Sequence, residues 1–363
     1  MATIYDVARA SGVSPKTVSR VINGDGAVKA STKEAVEKAI AVLGYVPSTA
    51  ARAMRSNKSG LVGLITGAIS LSHSRAEVSG LPDLFIVQGI QKAMETSGKT
   101  LLIADTGGQS DRVPQLIRTF EEHRVEGIIY VADHHRKVSL PPVSKSTKLV
   151  LANCYDDAGS PAILPNDYQG QLTLVNSLIA KGHRRIAYLS LNARLEATKL
   201  RTKGYQDALA AAGIKFDPAL LIPADIDTAD PDTEVQLLWD AIDRILSLPE
   251  PPTVICFGND RMAMRAYGIL RSRGLSLPDD LSVAGYDNHR LITETLYPTL
   301  MSAELPYAAI GIRATELLLA MISGTTAEPT TPILIGGPVT AGNSVKDLPA
   351  PITKLSSIGR TTK

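Results

Sequence analysis

Residues 14–26 read "SPKTVSRVINGDG", and the meaning of this stretch decides what the N-terminal end of the chain is. Ser14 is a helix N-cap residue type, and Pro15 suits the first helical position, where a missing N–H costs nothing. Val18, Val21 and Ile22 fall at i, i+3 and i+4 and face inward, which leaves Lys16, Ser19 and Arg20 outside. Residues 4–10 upstream read as another short helix, closed by Ser11-Gly12-Val13. Two short helices joined by a tight glycine turn make a helix-turn-helix. The exposed face of the second helix is then free to enter a DNA major groove. There Lys16 and Arg20 can donate to guanine, and Thr17, Ser19 and Asn23 can bind phosphate oxygens. A third helix is expected to follow, with Ser31-Thr32-Lys33-Glu34 as a capping box, Val36, Ala39, Ile40 and Leu43 as its buried stripe and Gly44 as its stop. The alternative is a helical adaptor bundle with a solvated basic face.

Charge separates this end from the rest. The 363-residue chain carries a formal net charge of +2. Its first 60 residues hold nine Lys and Arg against four Asp and Glu, an excess of five, so the remainder is at −3. A basic end on a mildly acidic body fits a nucleic-acid reader attached to another unit. Cys154 and Cys256 lie far apart in apolar runs, without metal-ligand spacing, and read as reduced core residues. The N-terminus lacks a signal-peptide pattern, and no stretch approaches the roughly 18 apolar residues of a membrane span. The expected location is the cytoplasm.

Residues 3–60, "TIYDVARASGVSPKTVSRVINGDGAVKASTKEAVEKAIAVLGYVPSTAARAMRSNKSG", resemble the DNA-binding headpiece and hinge of the lactose-repressor/galactose-repressor family. The resemblance implies that Lys16 and Arg20 read bases. Pro15 at the neighbouring position offers only van der Waals contact, and Tyr5 and Ser14 join the DNA-facing set. "VPSTAARAM" resembles the family's hinge helix, which folds when two copies meet on an operator and inserts an apolar side chain into the minor groove. That side chain is Met54 here, where the family usually has leucine, and Arg52 and Arg55 would meet the DNA backbone. So short a helix is marginal alone, which suits folding coupled to binding.

From Leu61 the texture becomes an alternation of strand and helix. The apolar runs "LVGLIT", "TLLIAD", "EGIIYVA", "KLVLANC", "RRIAYLS", "TVICFG" and "LSVAGYD" are separated by amphipathic stretches such as 85–97, 111–123, 167–181 and 260–273. This pattern implies two doubly wound parallel-sheet lobes, with a ligand cleft at the carboxyl ends of the strands. "LRTKGYQDAL", "CFGNDRMAMRAYGILRSRGLSLPDDLSVAGYDN" and "IGIRATELLLAMISG" resemble the same family's regulatory domain, which is similar to periplasmic sugar-binding proteins. The resemblance implies effector contacts at Ser70, Asn153, Arg201, Asn259 and Asp287, a donor and acceptor set suited to a polyol. Asn and Asp at strand ends also serve simply as helix caps.

The expected division is a helix-turn-helix domain over 1–46, a hinge over 47–60, a two-lobed domain over 61–340, and a disordered Pro-, Ser- and Thr-rich tail over 341–363. One lobe should take 61–164 and 303–325, and the other 165–302 and the remainder. Two stretches depart from the family. "GAISLSHSRAEVSGLP" is a longer loop, either a mobile surface loop or one in which His73 and Arg75 offer contacts to an anionic or bulky ligand. "YPTLMSAELP" places Met301, Ser302 and Leu305 where relatives are more polar. The His134-His135 pair has no carboxylate or Cys at ligand spacing and reads as a solvated loop. No Walker loop, HExxH or GxSxG pattern occurs, so neither catalysis nor a cofactor is expected. The tail lacks leucine heptads, which favours a homodimer over a tetramer. Its expected partners are a near-palindromic operator and a small carbohydrate. The competing reading is a cytoplasmic solute-binding receptor that does not read DNA.

Overall fold

The computed structural model describes residues 2–24, 28–46, 58–67, 69, 81–225 and 231–349. The hinge residues Arg52, Met54 and Arg55, the loop positions Ser70, His73 and Arg75, and the tail from 350 onward lie outside the described residues.

Local signals build the headpiece. Thr3 and Asp6 form a reciprocal capping box at the start of α1 (Ile4–Ser11), which satisfies two backbone N–H groups that the first turn leaves bare. Gly12 closes α1 at φ 68°, a left-handed conformation that glycine adopts freely. Ser14 caps α2 (Pro15–Ile22), accepting from the Thr17 N–H with Pro15 in the first turn. The third helix, α3 (Ala30–Leu43), ends on Gly44 at φ 58°. Val7, Ala8, Val18, Val21, Val36 and Ala39 close one small core. At about 1.5–3 kcal/mol per buried valine, it suffices for three short helices only if nearly all of it is intact. Two expectations fail here. Helix α3 starts at Ala30 with Lys29 as cap and no side-chain cap bond, so Ser31 to Glu34 are inside the helix rather than a capping box. Leu43 points away from the core and is 37% exposed.

The seven apolar runs all become strands. One sheet runs β11-β5-β4-β3-β1-β2 and the other β12-β10-β9-β8-β6-β7. The first contains β1 (Leu61–Thr66), β2 (Thr100–Asp105), β3 (Gly127–Lys137), β4 (Lys148–Tyr155), β5 (Ala162–Pro165) and β11 (Ile333–Ile335). The second contains β6 (Ile186–Ser190), β7 (Leu221–Pro223), β8 (Val254–Phe257), β9 (Ser282–Asp287), β10 (Met301–Glu304) and β12 (Val339–Thr340). All pairings are parallel except β10 with β12. Parallel sheets need both faces covered. Helices α4 (Leu81–Met94) and α11 (Tyr307–Ser323) cover one face of the first sheet, and α5 (Val113–Glu122) covers the other. In the second lobe α6 (Asp167–Ala180) and α7 (Glu196–Ala211) lie on one face, with α8 (Pro231–Leu246) and α9 (Asp260–Ser272) on the other, and the one-turn α10 (Arg290–Thr293) follows β9. Helices α4 and α11 touch through glycines. A Cβ on Gly89 would sit 2.1 Å from the Ala308 carbonyl oxygen, and one on Gly311 would sit 2.1 Å from that of Ile86.

The chain passes between lobes after β5, after β10 and after β11. The lobe boundaries therefore differ from expectation: β10 belongs wholly to the second sheet, and β11 returns to the first beside β5. Residues 341–349 are also packed rather than a free tail. Ser344 is fully buried, its hydroxyl donating to the Val283 carbonyl (2.6 Å) and accepting from the Met301 N–H (2.9 Å). His183 meets the Lys346 carbonyl (3.2 Å). A Pro-rich composition did not reveal that these few small residues seal the edge of the second lobe.

Candidate functional site

Two places in the chain bring chemistry to a surface. The first is α2. Tyr5, Ser14, Lys16, Arg20 and Asn23 are exposed, and Pro15 and Thr17 are half-buried. Lys16 and Arg20 are one turn apart on the outer face, carried by the stripe of Val18 and Val21 beneath them. Ser14 is already engaged as the cap, its hydroxyl 3.0 Å from that of Thr17. Ser19 does not join this face. It is buried, with its hydroxyl facing the Asn23 amide (3.5 Å), because its place one residue beyond Val18 turns it toward the core.

The second place is where the two lobes face each other at the carboxyl ends of their strands. Among the described residues, two side-chain contacts between them lie at this place. His135, on the end of β3 that runs past the sheet, reaches Asp167 at the start of α6, with Nδ1 2.9 Å from Oδ2. Phe85 of α4 faces His289, which follows β9, with ring centroids 6.0 Å apart. His135 is thus buried and paired with a carboxylate, not part of a solvated loop; only its neighbour His134 is at the surface. A register shift between β3 and β4 at Val131 and Arg136 carries the histidine inward.

Arg201 on α7 lies at the centre of this region. Its Nε donates to Asp167 Oδ1 (2.7 Å), its Nη1 donates to the Gly258 carbonyl (2.7 Å), and its guanidinium carbon is 3.7 Å from the Tyr286 ring centroid. Burial opposes charge on the arginine, but Asp167, Tyr286 and Asp287 together outweigh it and hold Arg201 further above its usual range. Burial alone would raise Asp167, yet Arg201 and the His135 hydrogen bond keep its carboxyl below the ordinary carboxylate value. Asp167 is the pivot of a buried chain that joins both lobes.

A second acidic centre sits beside it. Asp260 opens α9, with Oδ1 accepting from the Ser302 hydroxyl (2.7 Å) and Oδ2 from the His289 N–H (2.7 Å). Ser302 in turn accepts from the Asn288 N–H (3.0 Å). These bonds hold Asp287 and Asn288 at φ 115° and 53°, conformations costly for residues with side chains. Burial pushes Asp260 up to about 7. Burial and the nearby Asp260 charge push Asp287 well above the usual carboxylate range.

The remaining expected contacts are partly consumed internally. Asn153, at the end of β4 with φ 61°, donates from Nδ2 to the Ala132 carbonyl (3.2 Å). Asn259 caps α9, accepting from the Met262 N–H (2.8 Å). Sequence reasoning placed Arg201 and Asp287 in this region and missed His135, Asp167, Asp260 and His289, whose partners are all distant in sequence. Met301 and Leu305 point into the core of the second lobe. Among the described residues no cluster of His, Cys, Asp and Glu could hold a metal ion, and Cys154 and Cys256 are buried with their thiols pushed up by desolvation.

Residues 3–48 match bacterial regulatory proteins of the lacI family, and residues 175–345 match a periplasmic binding protein-like domain. The HTH-type transcriptional repressor PurR of Vibrio atlanticus is 32% identical over 326 residues, which is 89% of this chain and 92% of that protein. The structure of a LacI-family transcriptional regulator from Rhizobium etli superposes with a TM-score of 0.70 at 30% identity, covering 80% of this chain and all of that one. The lac repressor dimer bound to operator and an anti-inducer shares the fold, with a TM-score of 0.75 at 22% identity over 95% of this chain and 99% of that one.

Proposed function

The chain belongs to the lacI family of bacterial regulatory proteins, as a DNA-binding transcriptional repressor with a ligand-binding domain rather than an enzyme, and on that premise we propose how it reads its operator and is switched. A homodimer places its two α2 helices in successive major grooves, so the site is a near-palindrome. Lys16 and Arg20 read base edges, while Tyr5, Thr17 and Asn23 position the headpiece on phosphates. Arg52 and Arg55 follow the backbone and Met54 wedges the minor groove. This work takes place in the cytoplasm; no described helix is long and apolar enough to cross a membrane.

The effector binds between the lobes and is a sugar or sugar derivative. One observation carries this reading: buried Arg201 and the Asp260–Asp287 pair converge beside the His135–Asp167 and Phe85–His289 contacts between the lobes. Hydroxyl groups match the forked donors and carboxyl acceptors on offer. A ligand that alters the distance between the lobes alters the spacing of the hinge segments in the dimer, and hence operator affinity, by as much as its affinity differs between the two states.

The test is Asp287→Ala, assayed for operator binding by gel shift with and without a panel of free sugars. The expected outcome is unchanged binding to DNA and loss of the sugar response. A variant that responds like the wild type would show that the effector binds elsewhere.

A further inference from the structure

The charges around the cleft restrict what it accepts, and this inference rests on the reading that the effector binds there. Arg201 is the cation that an anionic ligand would need. Its charge is already balanced by Asp167, its Nη1 is spent on the Gly258 carbonyl, and one face of its guanidinium is covered by Tyr286. Asp260 and Asp287 add two more carboxyl groups, and the Asp260 carboxyl accepts from a hydroxyl and a backbone N–H rather than from a cation. His289 extends from the same turn. Both its ring nitrogens are shielded from solvent and lack a hydrogen-bond partner, while its ring faces Phe85 of the opposite lobe. Leaving such atoms unpaired costs free energy that a bound group can recover. The titratable groups bonded to this turn are Asp260, which accepts the His289 N–H, and Glu304, which accepts from the Asn288 amide (3.3 Å). Both are acidic.

We propose that the cleft selects an uncharged, hydrogen-bond-donating ligand and rejects its phosphorylated counterpart, with His289 as a contact to that ligand beside Arg201 and Asp287. A phosphate would face Asp260 and Asp287 with no uncommitted cation among the groups described above, whereas a free hydroxyl or ring N–H donates to Asp287 or to His289 without a charge penalty. A cationic ligand gains little here either, because burial holds Asp260 and Asp287 toward their uncharged forms.

The experiment is calorimetric titration of the full chain with cellobiose and glucose, with glucose phosphate and glucosamine, and with hypoxanthine and inosine monophosphate. The expected result is binding of at least one uncharged member, with its charged counterpart weaker by about tenfold or more. His289→Ala should weaken the uncharged member by about tenfold and His289→Gln should restore part of the loss, at unchanged melting temperature. Tighter binding of a phosphorylated member, or binding of none of the six, overturns the proposal. Undiminished binding by His289→Ala overturns the place given to that residue. Hypoxanthine binding without any sugar upholds the charge argument and removes the sugar reading. Retention of full binding in Asp287→Ala instead contradicts the cleft reading on which the proposal rests.

Discussion

Replacing Asp167 with asparagine removes the one negative charge shared by His135 and Arg201. In the wild type each carboxylate oxygen has its own partner, Arg201 Nε at 2.7 Å and His135 Nδ1 at 2.9 Å. All three residues are buried, with Asp167 completely so. Asparagine keeps the shape and an acceptor oxygen for Arg201 Nε but leaves the buried guanidinium without its nearest counter-charge. Breaking a buried pair from one side costs about 3–5 kcal/mol. The surviving carbonyl bond places Asp167→Asn near the lower end of that range. The assay is urea unfolding followed by far-UV circular dichroism. Because Asp167 titrates below its ordinary value of 3.8 when folded, its contribution is complete above that value and is lost as pH falls through the lower folded one. The deficit of the variant should therefore be full at neutral pH and shrink in acid. An Arg201→Met partner change should recover part of the loss, because it removes the uncompensated charge. A deficit under about 1 kcal/mol at neutral pH, where only an exposed pair would be expected, would refute the account of Asp167 as the pivot between lobes.

Asp260 predicts the opposite pH dependence. Its folded carboxyl is raised from 3.8 to about 7, so the stability it contributes is complete below the lower value and is lost as pH rises through the upper one. Asp260→Asn mimics the protonated form and should hold its melting temperature better than the wild type across that window; parallel thermal scans check this, and equal slopes would count against it. Arg20→Ala should cost about 1–3 kcal/mol of operator affinity and relax base preference at one position of each half-site. Fluorescence anisotropy on single-base operator variants reads that discrimination, and uniform weakening on every sequence would assign Arg20 to the phosphates instead.

The elements most legible in the sequence are those set by neighbours in the chain. Ser14, Pro15 and Gly12 fix the turn and the start of α2 within a few residues, and each of the seven quoted apolar runs became a strand. The short strands β5, β7, β10, β11 and β12 were not legible, since two to four residues carry no periodicity and exist only through pairing. The site follows the same division. Arg201 and Asp287 stand out by motif, whereas His135 and Asp167 are 32 residues apart, and Asp260 and Ser302 are 42 apart. Their burial is tolerable only because the fold brings each to its partner. Asn259 shows the converse, a motif residue whose side chain is occupied by a helix cap.

The most direct test of the central claim is selection of duplexes bound by the purified chain from random-sequence DNA, with and without the sugar panel. The account predicts recovery of a near-palindrome whose half-sites lie about one helical turn apart, with recovery changed by a ligand in the wild type and not in Asp287→Ala. Recovery of no common sequence under either condition would contradict it, and would leave a ligand-binding body whose headpiece does not read DNA.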